Sequence, residues 1–209
     1  MELYSYYRSS AAYRVRIALN LKKISCSIVP VNLLQAEHQS AGYRSINPQG
    51  LVPTLKTGHG QIITQSTAIL EWLEETYPDT PLLPEDALER ATIRSWCSQI
   101  ACDIHPVNNL RVLKYLTSDI GVEEAVKNRW YHHWIEEGFA ALEAQISAAP
   151  YCFGTHVTLA DLYLVPQVFN ALRFEVPMDP FPKIMQVYES CNQLSAFIDA
   201  KPENQIDAP

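Results

Sequence analysis

The sequence predicts an α/β domain over residues 1–80, a linker over residues 81–86 and an all-α domain over residues 87–209. Two observations lead to this prediction. Short strand-like and helix-like segments alternate in the first 80 residues, whereas the segments beyond them have the periodicity of helices. Between the two parts lies a proline-rich stretch, Tyr77 to Pro84, which cannot continue a helix and is typical of a linker.

The elements of the first part follow from hydrophobic periodicity and turn residues. A strand at 2–6 leads through Arg8-Ser9-Ser10 into a helix at about 10–22, which has an apolar stripe on one side. We then predict strands at about 26–32, 53–57 and 61–64, and helices at about 36–44 and 66–77. Gly58-His59-Gly60 has the turn residues of a hairpin between the last two strands. This order of elements indicates a thioredoxin-like sheet.

In the second part we predict helices at about 86–116, 122–148, 158–172 and 181–199. Pro106 should kink the first of them, because proline cannot donate a backbone hydrogen bond. His105 and Asn109 are four residues apart and are expected to share one helical face. A structural kink with satisfied polar groups explains this segment equally well. Thr158 to Asp161 forms a capping box, for which we predict a purely structural role.

Composition excludes several classes of partner. The chain has 209 residues and a net charge of −7, and it is 47% hydrophobic and 19% charged. Most of the acidic excess lies beyond residue 80, and no basic stripe is present, so we expect no nucleic-acid partner. No apolar run is long enough for a membrane span, and the N-terminus lacks a signal-peptide pattern. The five cysteines show no CxxC or metal-like spacing. We therefore expect free thiols, no metal and a cytoplasmic location.

Two helix starts in the first part have the composition of anion sites. Ser9 and Ser10 stand where the first strand meets its helix, and Ser66 opens the helix at 66–77. The first amides of a helix lack partners within it, and the helix dipole favours negative charge there. Such starts suit a thiolate or a carboxylate. Simple N-capping by a serine hydroxyl explains the same residues, so both interpretations stay open.

Val52 and Pro53 lie at the start of a strand, where proline cannot donate a ladder bond. A cis Val52–Pro53 bond is one explanation, and it would turn the Val52 backbone toward a ligand peptide. Gln65 and Ser66 follow twelve residues later. Together with the serines near residue 9, these features suit a peptide-like ligand that carries a carboxylate and a thiol.

Longer motifs resemble the zeta class of glutathione transferases, and within it the bacterial maleylacetoacetate isomerases. They extend over nearly the whole chain, at residues 8–19, 47–55, 65–66, 103–109 and 161–167. The Ser-Ser…Arg-Val-Arg motif is specific to the class, whereas the Val-Pro and Gln-Ser pairs identify only the superfamily. The resemblance implies a glutathione-binding first domain, a helical domain that completes an acceptor-substrate pocket, and a homodimer.

The implied activity is the glutathione-dependent cis–trans isomerisation of maleylacetoacetate to fumarylacetoacetate in tyrosine and phenylalanine catabolism. Reversible thiolate addition turns the conjugated double bond into a single bond, rotation follows, and elimination returns the trans alkene. Three alternatives stay open: maleylpyruvate isomerisation, glutathione transfer to small α-halo acids, and a non-catalytic glutathione-binding module. The pair Ser9-Ser10 favours maleylacetoacetate, and the retained site residues weigh against the non-catalytic module.

The resemblance also implies roles for individual residues. Catalysis is expected of Arg8, Ser9 and Ser10, the serines stabilising the thiolate. The residues expected to bind glutathione are Val52, Pro53, Gln65, Ser66, His105 and Asn109. Ala11 stands where many members of the class carry cysteine. A protein thiol therefore cannot act at that position, and glutathione itself is expected to supply the nucleophile.

The expected substrate is a small dicarboxylate, whereas the chain is acidic overall, so its capture needs local cations. A guanidinium suits a carboxylate because its fork donates two parallel hydrogen bonds. The candidates for substrate binding are Arg8, Arg111 and Arg173. A solvated or structural ion pair explains Arg111 equally well. A cation that stabilises a helix C-terminus is the alternative for Arg173, but there the family resemblance favours substrate binding.

Overall fold

The structure is a computed structural model that describes all residues from Met1 to Pro209. The chain forms two compact units. Unit 1 comprises Met1–Pro81 together with Asn192–Pro209, and unit 2 comprises Leu82–Cys191. The first division point lies next to the end of the α/β domain predicted from the sequence. The prediction of one helical domain over 87–209 differs from the structure at the C-terminal end of the chain. There Asn192–Pro209 packs with unit 1.

Unit 1 is built on a four-stranded sheet with the order β2-β1-β3-β4. The strands are β1 (Glu2–Ser5), β2 (Ser27–Pro30), β3 (Thr54–Lys56) and β4 (Ile62–Thr64). β1 pairs in parallel with β2 and antiparallel with β3, and β3 and β4 form an antiparallel hairpin. The parallel pair needs a crossover, which helix α1 (Ser10–Leu21) provides. The predicted thioredoxin-like fold is confirmed.

The other helices of unit 1 are α2 (Ala41–Ile46), α3 (Ser66–Thr76) and α10 (Ser195–Ile198), with 3₁₀ turns at Glu37–Gln39 and Pro202–Asn204. Helix α1 packs against both α3 and α10. It is therefore buried on nearly all sides, including Arg14 and Arg16. The single helix predicted at 36–44 is split, because Ser40 is extended and caps α2 through a bond from the Tyr43 amide.

The regular elements of unit 2 are helices, and one isolated β-bridge joins Tyr151 to Gly154. The helical elements are α4 (Ala87–Ser98), a π-helical turn (Gln99–Ile104), α5 (His105–Asn108), α6 (Leu110–Ser118), α7 (Glu124–Gln145), α8 (Leu159–Arg173) and α9 (Pro182–Cys191). Helix α8 packs against α4 and α9, and most of its residues are buried, including Leu162 and Val165. It forms the centre of this unit's core.

Two predicted helices are each divided in the structure. The helix predicted at 86–116 widens into the π-helical turn directly before Pro106, which cannot donate the regular helical bond. It then ends at Asn108, because the backbone of Asn109 is extended with ψ of 161°. The helix predicted at 181–199 is divided into α9 and α10, which belong to different units.

Asp161 forms the predicted capping box at the start of α8. Its carboxylate is fully buried and accepts hydrogen bonds from the Thr158 amide at 2.7 Å, the Thr158 hydroxyl at 3.1 Å and the Cys152 amide at 2.8 Å. Burial raises the pKa of the Asp161 carboxyl, while the bonds from Cys152 and Thr158 act in the opposite direction. The residue therefore joins the loop before α8 to the helix itself.

We expect Asp161→Asn to lower the free energy of unfolding by about 2–4 kcal/mol. The amide nitrogen that replaces one oxygen cannot accept the bonds from Thr158 or Cys152. Urea denaturation of the purified protein measures the loss. Asp86→Asn is a matched control, because Asp86 is exposed and caps α4 through a single oxygen that asparagine retains. Equal losses in the two variants would contradict the role assigned to burial.

Candidate active site

The junction of β1 and α1 places Ser9 at the N-cap of α1. The Ser9 hydroxyl oxygen accepts a hydrogen bond from the Ala12 amide at 3.2 Å. A hydroxyl can accept through its oxygen and donate through its hydrogen at the same time. Capping and donation to a thiolate are therefore compatible in Ser9. Ser10 is the first residue of the helix and is only 5% exposed.

The residues next to the two serines define the rest of this junction. Arg8 is exposed, and its guanidinium carbon lies 5.0 Å from the centre of the Tyr7 ring, a cation–π arrangement. Tyr6 is buried, and this burial raises its pKa to about 12. Its phenol is therefore protonated at neutral pH. Arg8 therefore carries the positive charge at this junction, directly before Ser9 in the sequence.

The loop before β3 presents the Val52 backbone. The Val52–Pro53 bond is cis, as the sequence predicted. The Val52 amide and carbonyl bond to no other backbone group. The loop is held in place through the Leu51 carbonyl, which accepts bonds from the Tyr43 hydroxyl at 2.7 Å and from the Asn47 side-chain nitrogen at 2.8 Å. Sequence reasoning missed these two supporting residues, although Asn47 lies within a motif that carried the family resemblance.

α3 starts at Ser66 as predicted, but Ser66 is not its N-cap. Gln65, with φ of 70°, is the N-cap residue, so Ser66 is already helical and does not cap α3. The Ser66 hydroxyl instead accepts a bond from the buried Arg14 guanidinium at 3.3 Å, which joins α3 to α1. The Gln65 side chain donates to the Gln49 oxygen at 2.7 Å and leaves the helix without a side-chain cap. The first amides of α3 therefore suit an external carboxylate.

The α5–α6 junction in unit 2 corrects a second expectation. Asn109 caps α6, with its side-chain oxygen accepting from the Val112 amide at 3.2 Å and its nitrogen donating to the Pro106 carbonyl at 2.8 Å. Because the helix ends at Asn108, His105 and Asn109 do not share one continuous helical face. The sequence analysis did not predict Asn108 as a site residue. Asn108 is only 7% exposed, and both polar atoms of its side chain are buried without a hydrogen-bond partner.

Arg111 and Arg173 are both exposed residues of unit 2, but they differ in their relation to the helix dipole. Arg111 is the second residue of α6, where the dipole disfavours a cation, so helix stabilisation does not explain it. Arg173 is the last residue of α8, where a cation is favourable. Its guanidinium carbon lies 4.6 Å from the centre of the Phe174 ring, which stacks on Tyr131. The aromatic pair restricts the position of this guanidinium.

Comparison with known proteins identifies the family. Residues 3–81 match the model of the glutathione S-transferase N-terminal domain, and residues 124–193 match that of the C-terminal domain. The chain belongs to the glutathione S-transferase family. The resemblance to the zeta class that the motifs indicated is confirmed by the relatives described next.

A probable maleylacetoacetate isomerase of Vibrio cholerae is 47% identical to this chain, over 99% of this chain and 97% of that protein. Among solved structures, the holo structure of a maleylpyruvate isomerase, a bacterial zeta-class glutathione transferase, is 45% identical. It covers 100% of both chains with a TM-score of 0.96. A maleylacetoacetate isomerase of Methylobacterium extorquens, crystallised with malonate and glutathione, covers 100% of both chains at 36% identity and a TM-score of 0.95.

Proposed function

We propose that the protein is a glutathione-dependent cis–trans isomerase that converts maleylacetoacetate to fumarylacetoacetate. The observation that carries the proposal is the hydroxyl of Ser9, which caps α1 and can donate to a thiolate at the same helix start. The similarity to a maleylacetoacetate isomerase over nearly the full length of both proteins supports the substrate. Maleylpyruvate is the second candidate substrate, because a maleylpyruvate isomerase structure covers the whole chain.

The residues of unit 1 fit glutathione by their donor and acceptor chemistry. The Val52 amide and carbonyl suit the backbone of the cysteinyl residue, because no other backbone group uses them. The uncapped amides of α3, together with Gln65 and Ser66, suit the carboxylate of the γ-glutamyl residue.

His105 and Asn109 of unit 2 are proposed as further glutathione contacts. The capping bonds of Asn109 leave one amide hydrogen for such a contact.

Glutathione, when bound, supplies the thiolate that adds to the substrate double bond. Ser9 donates its hydroxyl hydrogen to that sulfur, and the α1 dipole favours the negative charge. We assign a second, smaller contribution to Ser10, because it is buried within the first turn of the helix. Arg8 lies next to Ser9 in the chain and favours both a thiolate and an enolate near it. Arg173 and Arg111 bind the substrate carboxylates.

Each of the five cysteines of the chain either is a poor nucleophile or lies away from the β1–α1 junction. Burial raises the pKa of the Cys26, Cys152 and Cys191 thiols. Cys97 is also buried, and Cys102 is exposed in the π-helical turn of unit 2. At the β1–α1 junction the chain has Ala11. We therefore expect the reactive sulfur to belong to glutathione.

Turnover by the purified protein tests the proposal. We expect isomerisation of maleylacetoacetate only when glutathione is added, and a higher kcat/KM for maleylacetoacetate than for maleylpyruvate. A variant with Cys26 and Cys102 changed to serine, and the three buried cysteines changed to alanine, should keep its dependence on added glutathione and most of its activity. Loss of activity in this variant while it remains folded would contradict a glutathione nucleophile. Binding of glutathione without turnover of either substrate would favour a non-catalytic module.

We also propose that the protein forms a homodimer and acts in the cytoplasm. β4 is an edge strand whose Ile62 is 40% exposed, and a second copy of the chain is a suitable cover for it. None of the five cysteines forms a disulfide, which agrees with a reducing compartment. Light scattering on the purified protein measures its mass in solution. Separately, no helix of the structure has the length and apolar character that crossing a membrane requires.

Ser66→Ala is expected to raise the Kd for glutathione about tenfold, with little change in turnover at saturating glutathione. The contact proposed for Ser66 is the same throughout the reaction, so its loss weakens binding rather than the chemical step. Titration calorimetry gives the Kd, and steady-state kinetics gives kcat. Ser45→Ala is the control, because the exposed Ser45 hydroxyl bonds only to the Gly42 carbonyl. A fall in kcat as large as the rise in Kd would contradict a pure binding role.

A further inference from the structure

The C-terminal segment Asn192–Pro209 belongs to unit 1 and contacts the β1–α1 junction. Phe197 and Ala200 are buried, and the Asn20 side chain of α1 donates to the Ala196 carbonyl at 3.0 Å. Near the end of the chain, the Asp207 carboxylate accepts a hydrogen bond from the Tyr7 amide at 2.9 Å. Tyr7 and Asp207, which are 200 positions apart in the sequence, are thus in contact directly before Arg8.

The buried Arg16 guanidinium holds the same backbone from the carbonyl side. It donates to the Tyr7 carbonyl at 3.0 Å and to the Tyr6 carbonyl at 3.5 Å. Its Nε donates to the Ala200 carbonyl of the C-terminal segment at 3.0 Å. Burial lowers the pKa of Arg16 to about 10, and Asp207 acts in the opposite direction, so the guanidinium is charged at neutral pH. Arg16 therefore joins the C-terminal segment to the backbone that leads to Ser9.

Phe197 is fully buried and packs the first part of the C-terminal segment into unit 1 without help from the Asp207 carboxylate. Asp207, by contrast, has one carboxylate oxygen that is buried without a hydrogen-bond partner, which is unfavourable for stability. The neighbouring Ile206 is 73% exposed, so apolar burial does not hold this part of the segment. The carboxylate is best explained by its bond to the Tyr7 amide.

We infer that Asp207 and Arg16 are positioning residues, which hold the Tyr6–Tyr7 backbone from both sides and thereby orient Ser9 toward the glutathione sulfur. The inference rests on the thiolate role proposed for Ser9. The Ser9 amide itself donates to the Tyr6 carbonyl at 2.9 Å, so a shift of this backbone moves Ser9 directly. The C-terminal segment is then a functional part of the glutathione-binding unit and not only a packed tail.

The pKa of the bound glutathione thiol tests the inference, measured by thiolate absorbance in a pH titration of the binary complex. We expect Asp207→Ala to raise this pKa by about half a unit to one unit, a three- to tenfold loss of thiolate below the pKa. A purely Coulombic effect has the opposite sign, because removing a carboxylate favours a nearby thiolate. Asp199→Ala removes the same charge from an exposed position of the same segment and should leave the pKa unchanged.

A double-mutant cycle separates this inference from the proposed function. Ser9→Ala alone should raise the thiol pKa, and adding Asp207→Ala to it should change the pKa little further, because Asp207 acts through Ser9. An unchanged or lowered pKa in Asp207→Ala, or an equal shift with and without Ser9, overturns the inference. An unchanged pKa in Ser9→Ala contradicts the proposed thiolate role, and the inference with it.

Thermal unfolding of each variant verifies that it is folded. If Asp207→Ala does not fold, Asp207→Asn takes its place, because asparagine keeps an acceptor oxygen for the Tyr7 amide but loses the charge. This variant should shift the pKa in the same direction by a smaller amount, since a hydrogen bond to a neutral acceptor is weaker. Asp207→Asn with the wild-type pKa would then overturn the inference.

Discussion

Ser9→Ala is expected to lower the isomerisation rate at neutral pH by about a hundredfold, the scale of losing one preorganised donor to a developing or bound anion. The alanine side chain cannot donate to the glutathione sulfur, so the pKa of the bound thiol rises and less thiolate is present at neutral pH. The rate should recover partly as the pH increases through the new thiol pKa. The pH dependence of kcat measures both effects.

Ser10→Ala is the matched comparison, because it removes the neighbouring hydroxyl from the same helix start. Ser10 is buried within the first turn, so we expect a smaller loss of rate and a smaller shift of the pH profile. The stability of Ser9→Ala must be compared as well, since losing the N-cap costs about 1 kcal/mol. If Ser9→Ala loses that stability but keeps the wild-type pH profile, capping is the only role of Ser9.

The fold was predictable because it depends on local patterns. The alternation of strands and helices before residue 80, and the hairpin turn at Gly58–Gly60, are visible in the sequence and present in the structure. The length of the helix predicted at 86–116 was not predictable. The hydrophobic periodicity continues through Asn109, whereas the backbone at Asn109 is extended. An asparagine at a helix start resembles a polar surface residue until its capping bond is known.

The candidate site shows the same division between local and distant contacts. The helix start at Ser9 and the cis Val52–Pro53 bond were predictable, because strand ends, helix starts and strand prolines have recognisable residues. Asp207 was not identified, because its contact with the Tyr7 amide joins residues that are 200 positions apart. N-capping, one of the two interpretations of Ser66, is wrong, because Gln65 with its positive φ occupies the N-cap position of α3. No residue type reports that angle reliably.

Arg173→Met is expected to lower kcat/KM for the dicarboxylate substrate by about a hundredfold, and Arg173→Lys by about tenfold. Lysine keeps the positive charge but loses the planar fork that donates two bonds to a carboxylate. It also loses the flat surface that lies over the Phe174 ring at 4.6 Å. The loss should fall mainly in KM if the contact is the same along the reaction. Steady-state kinetics of both variants measures the division between KM and kcat.

Two controls separate substrate binding from stabilisation of the α8 C-terminus. Arg129→Met makes the same chemical change at another exposed position of unit 2, on α7, and should leave kcat/KM unchanged. A neutral halogenated acceptor needs no carboxylate contact, so Arg173→Met should turn it over at nearly the wild-type rate. If that variant loses as much activity toward the neutral acceptor as toward the dicarboxylate, Arg173 acts on the helix and not on the substrate.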